Sequence, residues 1–132
     1  MIGVDTNVLL RLYVADDDKQ HQAAVAFFSE RTENDPAYIC LIVLIEFVWS
    51  LRRTYKYPRD EVTALAARLL EARDIYVERA DLIAEALDIT GKSRIGLADA
   101  IIAIANLADG CTHTVTFDNK AARELNGVEL LT

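Results

Sequence analysis

The sequence predicts an α/β protein of three layers, α/β/α, with a central mostly parallel sheet of four to five strands. Two observations carry this. Short apolar or β-branched runs alternate with longer segments whose apolar residues recur every three to four positions, the pattern of strands joined by helical crossovers. No internal repeat, low-complexity tract or Pro/Gly-rich linker interrupts the 132 residues, so a single domain over 1–132 is expected. A third feature bears on function: four apolar stretches each carry one isolated acidic residue, Asp5, Glu46, Asp99 and Asp118.

The elements follow in order. Met1 to Asp5 reads as a short apolar strand, after which Thr6 or Asn7 offers a cap to a helix containing Val8, Leu9, Leu12 and Tyr13. A second helix, from about Lys19 to Arg31, places Ala23, Ala24, Phe27 and Phe28 on one face. Asn34-Asp35-Pro36 is a turn, Ala37 to Cys40 a strand, and Leu41 to about Tyr55 a strongly apolar helix. Pro58 and Asp60 open the next helix, with Val62, Leu65, Ala66, Leu69 and Leu70 in helical period, and Ile75 to Val77 returns to strand. Asp81 is the expected cap of a helix containing Leu82, Ile83, Ala86 and Leu87. Gly91 to Gly96 reads as a loop, Leu97 to Ala108 as a long helix closed by Gly110, and Thr112 to Phe117 as a strand. A short helix from Lys120 to Leu125 and a last strand from Val128 to Leu131 complete the chain.

Composition excludes several classes of function. Lys and Arg number 14 against 21 Asp and Glu, and the net charge of −7 is the wrong sign for a surface that attracts nucleic acid everywhere. The longest charge-free run is too short to span a bilayer, and no basic region precedes the apolar N-terminus as in a signal peptide. The expectation is a soluble, cytoplasmic chain with no membrane partner. Cys40, Cys111, His21 and His113 stand far apart without zinc-ligand spacing, which argues against both a disulfide framework and a zinc site.

An ionised carboxylate inside an apolar run is costly unless something pairs with it. Asp5 and Asp118 each follow a strand, and in an open parallel sheet the ligand crevice lies at the carboxyl ends of the strands. Asp99 falls in the first turn of its helix, where the macrodipole favours an anion, and Glu46 lies a turn and a half into a helix that leaves a strand end. The four are therefore expected to converge. Clustered carboxylates raise one another's pKa values unless a cation resolves the repulsion, and oxygen-only donors point to Mg²⁺ or Mn²⁺. Metal-dependent phosphodiester hydrolysis is the reaction such a site implies.

At these residues the chain resembles the PIN-domain ribonucleases, and in its compact length it is most similar to the VapC toxins of toxin–antitoxin pairs. The matching segments are Ile2-Gly3-Val4-Asp5-Thr6-Asn7-Val8, the mid-chain Glu46, Leu97-Ala98-Asp99-Ala100 and Thr116-Phe117-Asp118. One departure is Leu97, where the family often has an aromatic. The resemblance implies a magnesium-dependent endoribonuclease in which Asp5, Glu46, Asp99 and Asp118 bind metal, with Thr6, Asn7 and Thr116 orienting carboxylates or water. It also implies an RNA substrate, a homodimer, and a cognate VapB-like antitoxin whose C-terminal segment lies in an apolar groove and obstructs the acidic pocket.

Other residues have competing readings. Asp5 and Asp118 could each cap a helix, and Glu46 could pair with Arg52 or Arg53. Asp16-Asp17-Asp18 reads as a solvated cap rather than a metal cluster, and His113 as structural. The stretch from Leu51 to Arg59 is the densest in basic residues, so Arg52, Arg53 and Lys56, with Tyr55 and Tyr57 interleaved, are candidates for RNA contact. Lys92 and Arg94, ahead of the Asp99 helix, are also candidates. Two alternatives stand beside the nuclease: a non-catalytic interaction module of the same fold, and another Mg²⁺-dependent phosphoryl-transfer enzyme. Against the latter, Asn7 stands where a haloacid-dehalogenase fold needs a second Asp. A receiver domain would need a phosphoacceptor Asp after its third strand, and none follows Ile75-Tyr76-Val77.

Overall fold

The structure, a computed structural model, describes residues 1–132, and the chain forms two compact units, Met1–Ala80 and Asp81–Thr132. The first holds β1 (Ile2–Gly3), α1 (Thr6–Tyr13), α2 (Asp18–Ser29), β2 (Ala37–Ile39), α3 (Leu41–Arg53), α4 (Arg59–Glu71) and β3 (Ile75–Val77). The second holds α5, which starts at the boundary (Ala80–Lys92), then α6 (Leu97–Ala108), β4 (Thr114–Thr116), α7 (Asn119–Glu124) and β5 (Val128–Leu130).

In the first unit the strands pair in parallel in the order β1-β2-β3, with Ile2 opposite Ala37 and Ala37 opposite Ile75. The ladder runs past the short β1, because the Val4 N–H donates to the Tyr38 carbonyl at 3.0 Å. Side chains alternate across the sheet, so Ala37, Ile39 and Val77 are buried while Tyr38 and Tyr76 stack on the opposite face with ring centroids 5.8 Å apart. Helices supply the rest of the core: Leu9 and Leu10 of α1, Leu44, Phe47 and Leu51 of α3, and Leu65, Ala66 and Leu69 of α4. The Tyr13 ring lies 5.6 Å from that of Phe47 and joins α1 to α3.

In the second unit β4 and β5 pair in parallel through the α7 crossover, with Thr114 opposite Val128. Asn106 Nδ2 of α6 donates to Thr114 Oγ1 at 2.9 Å, tying the helix to the strand it precedes. Gly127 adopts φ +72° in the turn into β5, and a Cβ there would stand 3.0 Å from Leu107 Cδ1. That position has both a backbone and a packing reason to be glycine.

All five expected strands form and every pairing is parallel, hydrogen-bonded as sheets of three and two strands. Several boundaries differ from expectation. Asp5, not Thr6 or Asn7, holds the N-cap position of α1, because the Asp5 carbonyl already accepts from the Val8 and Leu9 N–H groups. Asp81 lies within the first turn of α5 rather than capping it, and Gly91 and Lys92 belong to the helix end rather than to a loop. The Asp17 side chain caps α2 by accepting from the Gln20 N–H, as the solvated-cap reading requires. No helix is long and apolar enough to cross a membrane.

Candidate functional site

Asp5 leaves the carboxyl end of β1 and enters α1. Its backbone performs the cap function, so the carboxylate is exposed and carries no hydrogen bond or ion pair. Thr6 turns inward and is buried, while Asn7 is exposed. Asp5, Asn7 and Arg11 line one wall of a cleft of about 700 Å³ between α1 and α2, and Ala23, Ala24 and Phe27 line the other. Arg11, which the sequence reading did not single out, is the one cation lining this cleft. The signal was a single cation four residues after Asn7 in an otherwise apolar helix, a spacing that puts both on one face.

Arg11 is held on three sides. Its Nε donates to Gln20 Oε1 at 2.9 Å and its Nη1 to the Tyr55 hydroxyl at 3.1 Å, with Asp16 Oδ1 3.0 Å from Nη1. Tyr55 in turn donates to Asp16 Oδ2 at 3.1 Å. The hydrogen bond with Tyr55 does most to raise the Arg11 pKa further above its ordinary value, so the guanidinium stays charged at any working pH. Tyr55 is therefore part of the packing between elements and not a free stacking platform.

Glu46 sits on an exposed stripe of α3 with Ile42, Trp49 and Arg53, at a spacing that puts all four on one face. The strongly apolar helix expected here is thus not buried all round, since Ile42 is 69% exposed and Trp49 55%. The carboxylate is solvated and needs no buried partner. Nor does it pair with the neighbouring arginines: the Arg53 guanidinium lies over the Trp49 ring, 5.5 Å from its centroid, and Arg52 Nη1 donates to the Tyr57 carbonyl at 3.0 Å. Lys56 is exposed and takes a positive φ of 59° in the turn after α3.

In the second unit Asp99 occupies the first turn of α6, exposed and without a side-chain partner, and its Oδ2 would lie 3.6 Å from a Cβ on Gly96. Asp118 is engaged. Its Oδ1 accepts from the Lys120 N–H at 2.9 Å and the Ala121 N–H at 3.2 Å, capping α7, while its own N–H donates to Thr116 Oγ1 at 3.0 Å. Lys92 pairs with Asp88 at 3.1 Å, and the Arg94 carbonyl accepts from Lys120 Nζ at 3.0 Å.

Asp5 and Glu46 belong to the first unit and Asp99 and Asp118 to the second, and within either unit no group of three or more His, Cys, Asp or Glu side chains stands close enough to hold a metal ion. The costly burial from which convergence was argued is absent, because all four carboxylates are exposed. As chemistry the donor set still fits a hard divalent cation: it is oxygen-only, and Asp5, Glu46 and Asp99 are uncommitted to other partners.

Parallel strands joined by helical crossovers, with free carboxylates at strand ends and first helical turns, define an α/β protein that presents acidic side chains where such folds bind ligands. The chain belongs to the PIN domain family, whose model matches residues 2–125. Among solved structures it is similar to VapC20 of Mycobacterium tuberculosis, a toxin that cleaves the sarcin–ricin loop. Identity is 20% over 95% of this chain and 97% of that one, with a TM-score of 0.45. It is also similar to a toxin–antitoxin complex from Klebsiella pneumoniae, at 19% identity over 97% of this chain and 95% of that one, with a TM-score of 0.37. No curated protein matches it in sequence.

Proposed function

We propose that this chain is an endoribonuclease dependent on Mg²⁺ or Mn²⁺, the toxin of a VapBC-type pair, acting as one cytoplasmic PIN domain over residues 1–132. Membership of the PIN family supports the class. The observation that carries the reading is Asp5: a carboxylate at the end of a parallel strand, exposed, with no partner to neutralise it. Asp5, Glu46, Asp99 and Asp118 would hold the metal, which when bound supplies positive charge to the scissile phosphate and an acidified water. Asn7 and Thr116 would orient those carboxylates, Thr116 through the Asp118 backbone. Thr6, buried in the first turn of α1, would share that orienting role toward the carboxylates or the attacking water. Arg52, Arg53, Lys56, Lys92 and Arg94 remain the candidates for RNA phosphate contact. A homodimer and a VapB-like antitoxin are the expected partners, the antitoxin segment lying in the cleft beside Asp5.

The test is incubation of purified protein with a panel of structured RNAs in Mg²⁺ or Mn²⁺, in EDTA, and as Asp5→Asn and Asp99→Asn. Cleavage that survives EDTA or both substitutions would sink the mechanism. A second reading, a non-catalytic interaction module of the same fold, is favoured by one observation: Asp118 is spent on capping α7. Intact folding with no cleavage of any RNA under any metal would select it.

A further inference from the structure

The exposed stripe of α3 changes character along its length. Ile42 and Glu46 lie toward its start, Trp49 stands one turn beyond Glu46, and Arg53 closes it. Two large apolar side chains left open on one helix face form a patch rather than scattered exposure. The Arg53 guanidinium lies on the Trp49 ring, 5.5 Å from its centroid, and so braces the indole from one side. Further on, the segment from Leu51 to Arg59 holds four cations, Arg52, Arg53, Lys56 and Arg59, and no acid, in a chain of net charge −7. Its turn is anchored. The Tyr57 N–H donates to the Leu51 carbonyl at 2.9 Å, and Arg52 Nη1 to the Tyr57 carbonyl at 3.0 Å.

We propose that Trp49 selects the substrate by stacking: the indole face away from Arg53 takes an unpaired base of a single-stranded RNA, whose backbone continues over the cations after α3. This role rests on the reading of the chain as a ribonuclease and adds a residue that demands an unpaired base beside the cleaved bond. Trp49 is three residues from Glu46, roughly 4.5 Å along the axis at the helical rise of 1.5 Å per residue. The stacked base therefore belongs to the nucleotide adjoining the phosphate that faces Glu46. An aromatic ring beside clustered cations suits a single strand, because every base has a π-face and a duplex hides those faces inside its stack. A second copy of this chain fits less well. It would have to desolvate the cations that a polyanion neutralises.

The experiment uses the full chain and two fluorescein-labelled probes, a pentamer of adenylate and a ribose-phosphate strand of the same length without bases. Binding is read by anisotropy in Ca²⁺, which takes oxygen donors as Mg²⁺ does. The adenylate should bind about tenfold tighter than the abasic strand, the worth of one stacked base. Trp49→Ala should erase that preference while leaving the abasic strand unchanged, and Trp49→Phe, which keeps a ring, should retain most of it. A double-stranded RNA should bind the unaltered chain and Trp49→Ala alike. Equal binding of the two strands by the unaltered chain, equal losses for both strands in Trp49→Ala, or a duplex that depends on Trp49 would each overturn this role. So would a dimer that Trp49→Ala converts to monomer in sedimentation, since the stripe would then be a contact between copies. RNA cleavage is assayed separately. Base-dependent binding without cleavage removes the nuclease and keeps this inference, and cleavage unchanged in rate and position by Trp49→Ala does the reverse.

Discussion

Glu78 caps a helix from another element: its Oε1 accepts a hydrogen bond from the Leu41 backbone N–H at 2.7 Å, across 37 positions of sequence. Cys40 holds the N-cap position of α3 and makes no side-chain cap bond, so the orphan donor is satisfied from the end of β3. Glu78→Ala should therefore destabilise the chain by about 1 kcal/mol, read as a shift of the urea midpoint at unchanged m-value. Glu78→Gln, which keeps an acceptor oxygen, should retain more than half of that. Equal losses in the two variants would mean that packing, not the cap, is what the side chain supplies.

Asp5 and Asp118 should separate under substitution. Asp5 is exposed and unpartnered, so Asp5→Ala should change stability by no more than about 0.5 kcal/mol. Asp118→Ala removes two backbone hydrogen bonds at the start of α7 and should cost about 1 kcal/mol, whereas Asp118→Asn keeps the cap. Denaturation of the three variants side by side checks this. If cleavage is lost in Asp118→Asn at unchanged stability, the residue has a role beyond the cap.

Gly127→Ala should destabilise by about 1 to 2 kcal/mol, combining left-handed backbone strain with a 3.0 Å approach to Leu107. The companion Leu107→Ala in the same chain would relieve the contact but not the strain. A double-mutant cycle by thermal unfolding then apportions the two.

Burial pushes the Tyr13 hydroxyl above its ordinary value near 10, with Arg68 opposing that shift. The unfolded chain thus ionises first as pH rises. Below about pH 10 the residue adds no pH dependence, and above it stability falls until the folded pKa is reached. Tyr13→Phe should be near neutral at pH 7 and show a shallower alkaline loss of the urea midpoint than the unaltered chain. Parallel curves would show that Tyr13 does not carry the alkaline loss.

The strands and helices were legible because alternation of short β-branched runs with 3.6-residue periods survives in this chain almost everywhere. Boundaries slipped by a residue or two where a backbone group, not a side chain, makes the cap, as at Asp5. The four acids were legible from their isolation, and their exposure was not. An apolar helix such as α3 looks buried in sequence on every side, and only three dimensions show that Ile42, Glu46, Trp49 and Arg53 share an open stripe. Arg11 was invisible as part of a site because its partners Gln20, Asp16 and Tyr55 are brought to it by the fold.

Trp49 is the single tryptophan of the chain and stands one helical turn from Glu46, exposed and next to the Arg53 guanidinium. The protein therefore carries a built-in optical reporter on the face that holds one of its candidate acids. Its emission should shift to shorter wavelength when another macromolecule covers that stripe, and quench or brighten when an ion settles at Glu46 and redraws the local field. Engagement of that face can be followed in real time, without labels.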